Sequence, residues 1–363
     1  MRRNAPSSSA GRSPVTALSG EYDGVLLDLD GTVFRGRAVV PAAPDAIARV
    51  RRTGTGLAFV TNNAARSPEQ VAEHLVSAGI DVATDDVVTS AQAGADVLAA
   101  RLDAGSAVLV VGTEALAAEV SRVGLRPVRA AEDDPAAVVQ GHSTATGWAE
   151  LAEACLAIRA GSLWVACNVD ATLPTERGNV PGNGAMVAAL RAATNAEPVV
   201  AGKPHRPLVD AAIARLGASR PLLVGDRLDT DIAGAGGAGL DSLLVLSGVS
   251  DAAAVLAAPQ ESRPTFLAGD VAALGEDTGA ARIGERPGWS CEVTGGTLVL
   301  HCTGSASVDP LDALRALCSH WWATRGGPTP VTGGDAAATD ALRALGLGDG
   351  PGGRAAAQPP VIG

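Results

Sequence analysis

The sequence predicts an α/β protein: a doubly wound, parallel-sheet (Rossmann-like) core with an inserted α/β cap domain and a small α+β C-terminal extension. Three observations carry that prediction. Unalternated apolar runs at 25–27, 57–60, 222–224 and 243–246 are separated by helical patterns, as strands buried on both faces of a parallel sheet require. The runs fall into two groups with strand–helix material of its own between them, which is the pattern of an insertion. Beyond about residue 276 the pattern changes to a hairpin followed by a helix.

The elements follow in order. Residues 1–20 are rich in Ser, Ala and Gly, and Arg2-Arg3 has no apolar stretch behind it, so this segment reads as a disordered tail, not an export signal. The core is expected over 21–100 and 198–275. Within it, Ser67, Pro68 and Gln70 form a capping-box start, Val71 and Leu75 give a packed face, and Gly79 gives a stop. A second core helix is expected over 207–216, ended by Gly217. The insertion, 101–197, has strands at 108–111 and 163–166 and helices at 114–123 and 147–160. In the extension, 276–363, segments 289–293 and 297–302 pair across Gly295-Gly296. A helix over 309–323 then carries Leu311, Leu314, Leu317 and Cys318 on one face, and 348–363 is a Gly/Pro-rich tail.

Composition narrows the partners. The chain of 363 residues has 28 Lys plus Arg against 39 Asp plus Glu, a net charge of -11. That leaves no electrostatic footprint for nucleic acid or an anionic membrane, and a phosphate ligand would need locally placed cations. The 5 cysteines form no CxxC pair, which argues for a reducing compartment and against zinc or a disulfide framework. No apolar run reaches spanning length, so a cytoplasmic protein is expected. Lys203 is the sole lysine in the chain. It is either a survivor of an arginine-preferring composition or a position that needs a compact ammonium, and composition leaves both open.

The strongest chemical signal is Asp28-Leu29-Asp30-Gly31-Thr32, directly after the first apolar run. Carboxylates at i and i+2 leave a strand on the same side, so both can face a crevice beyond the strand ends. One can attack phosphorus while the other handles the leaving-group proton. A calcium loop starting at Asp28 would need Gly and Glu where Val33 and Val39 stand, which rejects it. Thr61-Asn62-Asn63, after the second run, offers a hydroxyl and backbone N–H groups to phosphoryl oxygens. Gly202-Lys203-Pro204 supplies an ammonium that could face the phosphate and Asp28 together. Gly225-Asp226-Arg227-Leu228-Asp229-Thr230-Asp231 offers Asp226 to a hard cation, with Asp229 or Asp231 in support. The glycine series at 234–239 follows a helix, so it is read as packing and not as a dinucleotide loop. None of the five histidines is expected to be catalytic.

These four motifs, in this order, resemble the haloacid dehalogenase superfamily of phosphohydrolases over about residues 22–275. The resemblance implies Asp28 as nucleophile, Asp30 as general acid/base, Thr61 as a phosphoryl contact and Lys203 as the stabilising cation. It implies Mg²⁺ held by Asp28, the Asp30 backbone carbonyl and Asp226, with Asp231 nearby. The insertion looks like the cap of the para-nitrophenylphosphatase-like subgroup, on Cys167-Asn168-Val169-Asp170 and Pro181-Gly182-Asn183-Gly184. Substrate contacts would then be Thr61, Asn62, Asn63, Asp170 and Lys203. Leu173 stands where pyridoxal phosphate phosphatases of that subgroup have a histidine, which argues against a flat aromatic substrate. Further similarity, through Gln140-Gly141-His142 and Pro174-Thr175-Glu176-Arg177-Gly178, is to actinobacterial glycerol 3-phosphate phosphatases. In those relatives the extra region resembles a truncated acetyltransferase fold, but no glycine-rich acetyl-CoA loop is present here. The expected activity is therefore Mg²⁺-dependent hydrolysis of a small phosphorylated metabolite, with glycerol 3-phosphate first. Other sugar or polyol phosphates, transfer to an acceptor other than water, and a non-catalytic sensor are the alternatives. No nucleic-acid or membrane partner is expected, and a homodimer is left open.

Overall fold

The computed structural model describes residues 17–175, 177–304 and 309–347. Its core sheet has six parallel strands in the order Phe266–Ala268, Ser242–Val245, Pro221–Gly225, Gly24–Leu27, Gly56–Thr61, Val87–Thr89. Each of the four apolar runs lies in one of these strands, apart from Leu246, which falls in the turn after Val245. Their side chains alternate between two apolar layers, which is why the runs do not alternate with polar residues. Val25, Leu27, Phe59 and Val224 face one layer, and Leu26, Ala58, Val60 and Leu223 the other. The chain leaves Gly24–Leu27 for one side of the sheet and returns on the other with Pro221–Gly225. That reversal makes a crevice beyond the carboxyl ends of these two strands.

The inserted segment forms a second parallel sheet, in the order Val199–Val200, Leu163–Ala166, Ala137–Gln140, Ala107–Val111, Arg126–Val128. Val199–Val200 lies beyond the boundary expected at 197, yet it pairs with Leu163–Ala166 as an edge strand. Two helices, Ser90–Ala99 and Arg206–Leu216, fill the space between the sheets. Their buried residues join Leu26 and Val60 of the core to Val110, Val139 and Cys167 of the insertion in one cluster. At Gly94 a Cβ would lie 3.3 Å from the Cys167 sulfur, so the absent side chain lets helix and sheet meet. From this second sheet projects a hairpin of Thr172–Thr175 and Gly178–Pro181, mostly exposed.

Local signals are realised where they were legible. Ser67 Oγ accepts from Gln70 N at 3.3 Å and Gln70 Oε1 accepts from Ser67 N at 3.0 Å, opening the helix Pro68–Ser77. Gly217, at φ 61°, ends Arg206–Leu216. The glycine series 234–239 does not follow a helix as expected but lies in and just after one, Ala233–Ala238; a Cβ at Gly236 would lie 2.8 Å from the Glu261 carbonyl oxygen. The tail expected over 1–20 is shorter at its far end. Leu18 and Ser19 are buried in the 3-10 turn Leu18–Glu21, and Leu18 N donates to Glu276 O at 2.8 Å. Residues 1–16 and the tail 348–363 lie outside the described residues.

In the extension, Trp289–Thr294 and Thr297–Cys302 pair antiparallel, and Val331–Gly333 lies parallel beside the second. The helix Pro310–Thr324 covers this sheet, with Ala336–Ala344 after it. The strand Val331–Gly333 is too short to show periodicity, which is why the sequence does not announce it. The extension has no core of its own. Its Leu300, Leu314 and Trp321 share a cluster with Ile232, Leu244, Val255 and Leu267 of the core domain. Arg315 is buried against the core sheet, where its Nε and Nη2 donate to the Leu267 carbonyl at 3.0 and 2.8 Å. Among the described residues no helix is long and apolar enough to cross a membrane.

Candidate active site

The carboxyl ends of Gly24–Leu27 and Pro221–Gly225 place Asp28 and Asp226 in the crevice, and the turn after the second strand adds Asp231. Carboxylate oxygens of Asp28, Asp226 and Asp231 all lie within 4.8 Å of one another. Lys203 closes the group. Its Nζ is 2.6 Å from Asp28 Oδ1 and 2.7 Å from Asp231 Oδ1, and it donates to the Val60 carbonyl at 3.0 Å. The ammonium thus donates hydrogen bonds to Asp28 and Val60 and forms an ion pair with Asp231, whose Oδ1 accepts no hydrogen bond, and Lys203 is only 2% exposed. A planar guanidinium could not satisfy the three at this spacing. The sole lysine of the chain thus stands where a compact cation is required.

Asp226 is fully buried. Its Oδ2 accepts from Val249 N at 2.6 Å, while Oδ1 is buried without a hydrogen-bond partner. Burial, then repulsion from Asp231, pushes its carboxyl up to about 7. Gly31 (φ 90°) and Gly248 both pass close by: a Cβ would come within 2.1 Å of Asp226 at the first and 2.0 Å at the second. An orphaned buried oxygen among converging carboxylates, walled by glycines, fits a hard oxygen-seeking cation such as Mg²⁺. Burial likewise raises the Asp28 carboxyl well above its usual range, with Asp231 and Asp226 adding to the shift and Lys203 opposing it.

Asp30 reaches solvent, and its backbone bridges to Phe34 at the start of a small hairpin, Phe34–Arg35 and Ala38–Val39. The surrounding protein raises its carboxyl above the usual value, opposed by the charges of Lys203, Arg66 and His74. Thr61 is buried and its Oγ1 accepts from Asn63 N at 3.1 Å, which leaves its own proton to donate. Asn63 Oδ1 accepts from Ala65 N at 2.8 Å. Asn62 is engaged with the protein: its Oδ1 accepts from Lys203 N at 2.8 Å, and its Nδ2 donates to Lys203 O at 3.0 Å and Asp170 Oδ2 at 3.2 Å. It fixes the backbone of the lysine and the position of the cap carboxylate at once.

Several residues at the site were not singled out from the sequence. Arg227 Nη1 lies 4.0 Å from Asp170 Oδ1, while Nε and Nη2 bind Asp229 at 3.0 and 2.7 Å. Arg35 donates from Nε to the Ser247 carbonyl at 2.8 Å, and Ser247 Oγ donates to Gly31 O at 2.7 Å. His74 stacks on Phe34 with ring centroids 4.5 Å apart. Arg227 lies inside a recognised motif, but nothing in that motif signals its reach to Asp170. The loop containing Ser247 carries no motif at all.

Comparison with known proteins agrees with this geometry. Residues 25–126 match the family model for haloacid dehalogenase-like hydrolases, and residues 200–274 match a second HAD-hydrolase-like model. Residues 286–347 match a GCN5-related N-acetyltransferase like domain. The chain belongs to the haloacid dehalogenase-like hydrolases; it is a phosphatase, and its cofactor is Mg²⁺. It is 49% identical over 337 residues to the D-glycerol 3-phosphate phosphatase of Mycobacterium tuberculosis, covering 90% of this chain and 95% of that protein. A crystal structure of a glycerol phosphate phosphatase from the same organism, in complex with magnesium, superposes with a TM-score of 0.88 at 50% identity, covering 92% of this chain and 99% of that one. The p-nitrophenyl phosphatase of Archaeoglobus fulgidus superposes with a TM-score of 0.65 at 27% identity, over 70% of this chain and 98% of that one. The shorter relative thus covers about 70% of this chain, while the mycobacterial structure covers 92% of it.

Proposed function

We propose that this phosphatase hydrolyses glycerol 3-phosphate, with Asp28 as nucleophile and Asp30 as the acid and base. The observation that supports it most directly is the pairing of Lys203 with Asp28 in a buried carboxylate cluster. The ammonium holds the attacking carboxylate in place and offsets its repulsion of an incoming phosphate. Asp28 attacks phosphorus, its bond to phosphorus forms, and the ester P–O bond breaks. Asp30, protonated, gives its proton to the departing alkoxide. Asp30 then takes a proton from a water molecule, whose oxygen displaces Asp28 and releases inorganic phosphate. Thr61 donates its hydroxyl proton to a phosphoryl oxygen. Asp28, the Asp30 carbonyl and Asp226 would hold Mg²⁺, with Asp231 nearby; when bound it would supply positive charge to the phosphoryl oxygens, and positioning and electrostatics would provide most of the rate.

The leaving group is chosen by the cap, where Asp170 is held toward the core by Asn62 and Arg227. A carboxylate there suits the hydroxyls of a polyol. The choice of glycerol 3-phosphate rests on the similarity over nearly the whole chain to the mycobacterial enzyme. The test is phosphate release from a panel of small phosphate esters, with Mg²⁺ and with EDTA, beside Asp28→Asn. Metal-dependent release that peaks on glycerol 3-phosphate and disappears in the variant is expected. A peak on another ester would retire the substrate and keep the mechanism. Substantial turnover by Asp28→Asn would remove Asp28 from its role.

A further inference from the structure

The residues that hold the metal-site carboxylates are built on two different cores. Asp28 ends a strand whose Val25 and Leu27 belong to the central cluster on one face of the main sheet. Asp226 follows a strand whose Val224 lies in that same cluster, but Asp231 and the loop that binds the Asp226 carboxylate draw on other packing. Ile232, directly after Asp231, and Leu244 and Leu246, just before the loop that binds Asp226, pack in the cluster shared with the C-terminal extension. So does Leu228.

The loop itself has no regular structure between Val245 and the helix Ala252–Leu256. It nevertheless carries the groups that fix Asp226. Val249 N donates to Asp226 Oδ2 at 2.6 Å, Ser250 N donates to Asp226 O at 3.1 Å, and Ser250 Oγ accepts from Leu228 N at 3.2 Å. Its far end is anchored by Ala252–Leu256, which has 5 residues. A helix that short has no stability of its own and is placed by what it packs on. Its buried Ala252, Val255 and Leu256 all lie in the shared cluster, against the extension helix Pro310–Thr324. Trp322 of that helix donates from Nε1 to the Leu256 carbonyl at 3.1 Å. Arg263 binds the same corner, donating to Ala258 O at 3.3 Å and stacking over the Trp322 ring at 5.3 Å.

We infer that the C-terminal extension is a positioning element for the magnesium site, acting through Trp322 and the helix Ala252–Leu256 on the loop that holds Asp226. The acetyltransferase-like fold is here a buttress: it sets where Val249 N and Gly248 stand, and through them the direction of the orphaned Asp226 oxygen. Trp322 is a positioning residue and touches neither metal nor substrate. Removing its support lets the loop relax, and Mg²⁺ then has to reorder it on binding.

The inference rests on the metal site proposed above, and the experiment separates the two. Mg²⁺ binding is measured by calorimetry and by Mg²⁺-dependent thermal shift on the full chain, for wild type, Trp322→Ala, Trp322→Phe, Leu342→Ala and Asp226→Asn. Leu342 is buried in the same cluster on Ala336–Ala344, a helix that packs on the extension's own sheet. Leu342→Ala therefore reports loss of general stability. Trp322→Ala is expected to weaken Mg²⁺ binding by about threefold to tenfold, and Leu342→Ala to lower the melting temperature with little change in Mg²⁺ affinity. Trp322→Phe, which loses the N–H together with the five-membered ring but keeps an aromatic ring in place, is expected to show a smaller weakening and a smaller loss of stability than Trp322→Ala. Unchanged affinity in both Trp322 variants overturns the inference, as does equal weakening by Leu342→Ala. If Mg²⁺ binding survives Asp226→Asn, the metal site itself is misassigned; if it is lost there and intact in the Trp322 variants, only the buttress fails.

Discussion

Lys203 Nζ lies 2.6 Å from Asp28 Oδ1 inside the protein, with 2% of the lysine exposed to solvent. Two opposite charges buried together are tolerated only when geometry and further interactions compensate their lost hydration, and here Val60 O accepts a hydrogen bond and Asp231 adds a second ion pair. The pair does two things at once. It keeps the carboxylate of Asp28 aimed by a rigid neighbour, and under the proposed mechanism it offers positive charge to the phosphoryl oxygens.

Lys203→Arg is expected to be nearly as damaging as Lys203→Ala. The larger planar group has no room for three directed contacts, so turnover falls on the order of 100-fold to 1000-fold in either variant. Steady-state kinetics on both decides it, and near-normal turnover in the arginine variant would show that charge alone suffices.

Asp226→Asn is expected to abolish Mg²⁺-dependent activity and at the same time stabilise the metal-free protein near neutral pH. The sign follows from linkage. A carboxyl pushed up to about 7 in the folded state binds its proton more tightly folded than unfolded. Stability of the metal-free protein therefore falls as the pH rises from about 4, the unfolded value, towards 7. An amide cannot ionise and escapes this loss. Melting curves in EDTA from pH 5 to 8 should show the wild type dropping relative to the variant, and parallel curves would contradict the assignment.

Gly31→Ala tests the close approach to Asp226. At φ 90° the new side chain is strained by about 1–2 kcal/mol, and its Cβ would lie 2.1 Å from Asp226 Oδ2. The carboxylate must move, so Mg²⁺ affinity is expected to drop about 10-fold or more while the sheet stays intact. Calorimetric titration with Mg²⁺ reads the first effect and circular dichroism the second.

Asp170→Asn probes leaving-group recognition. The amide can still accept from Asn62, but it loses the charge facing Arg227. A rise in KM of about 10-fold with kcat little changed is expected, as for the loss of one charge-assisted contact to substrate. A fall in kcat at constant KM would instead place Asp170 in the chemical step.

The sequence by itself determined which segments become strands and helices, and which side chains stand at the strand ends. The capping box at Ser67 and Gln70, the stop at Gly217 and the position of Asp28 after an apolar run are properties of neighbouring residues, so they can be read along the chain. The tertiary structure decided what those residues face. Lys203 and Asp28 are 175 positions apart, and Asn62 and Asp170 are 108 apart. No local period reports such contacts; they exist because the winding of the chain reverses at Gly24–Leu27 and brings Pro221–Gly225 beside it, and because the cap packs against the core. Leu18 likewise reads as part of a polar tail because its neighbours are polar, and it is buried because its side chain joins the core cluster while its N–H bonds Glu276 O. The extension follows the same rule. Its hairpin and long helix were legible from turn residues and apolar spacing, whereas its fusion with the core behind Asp226 depends on Leu244, Val255 and Leu314 meeting in space. Burial of apolar surface drives that meeting without any directional signal in the chain.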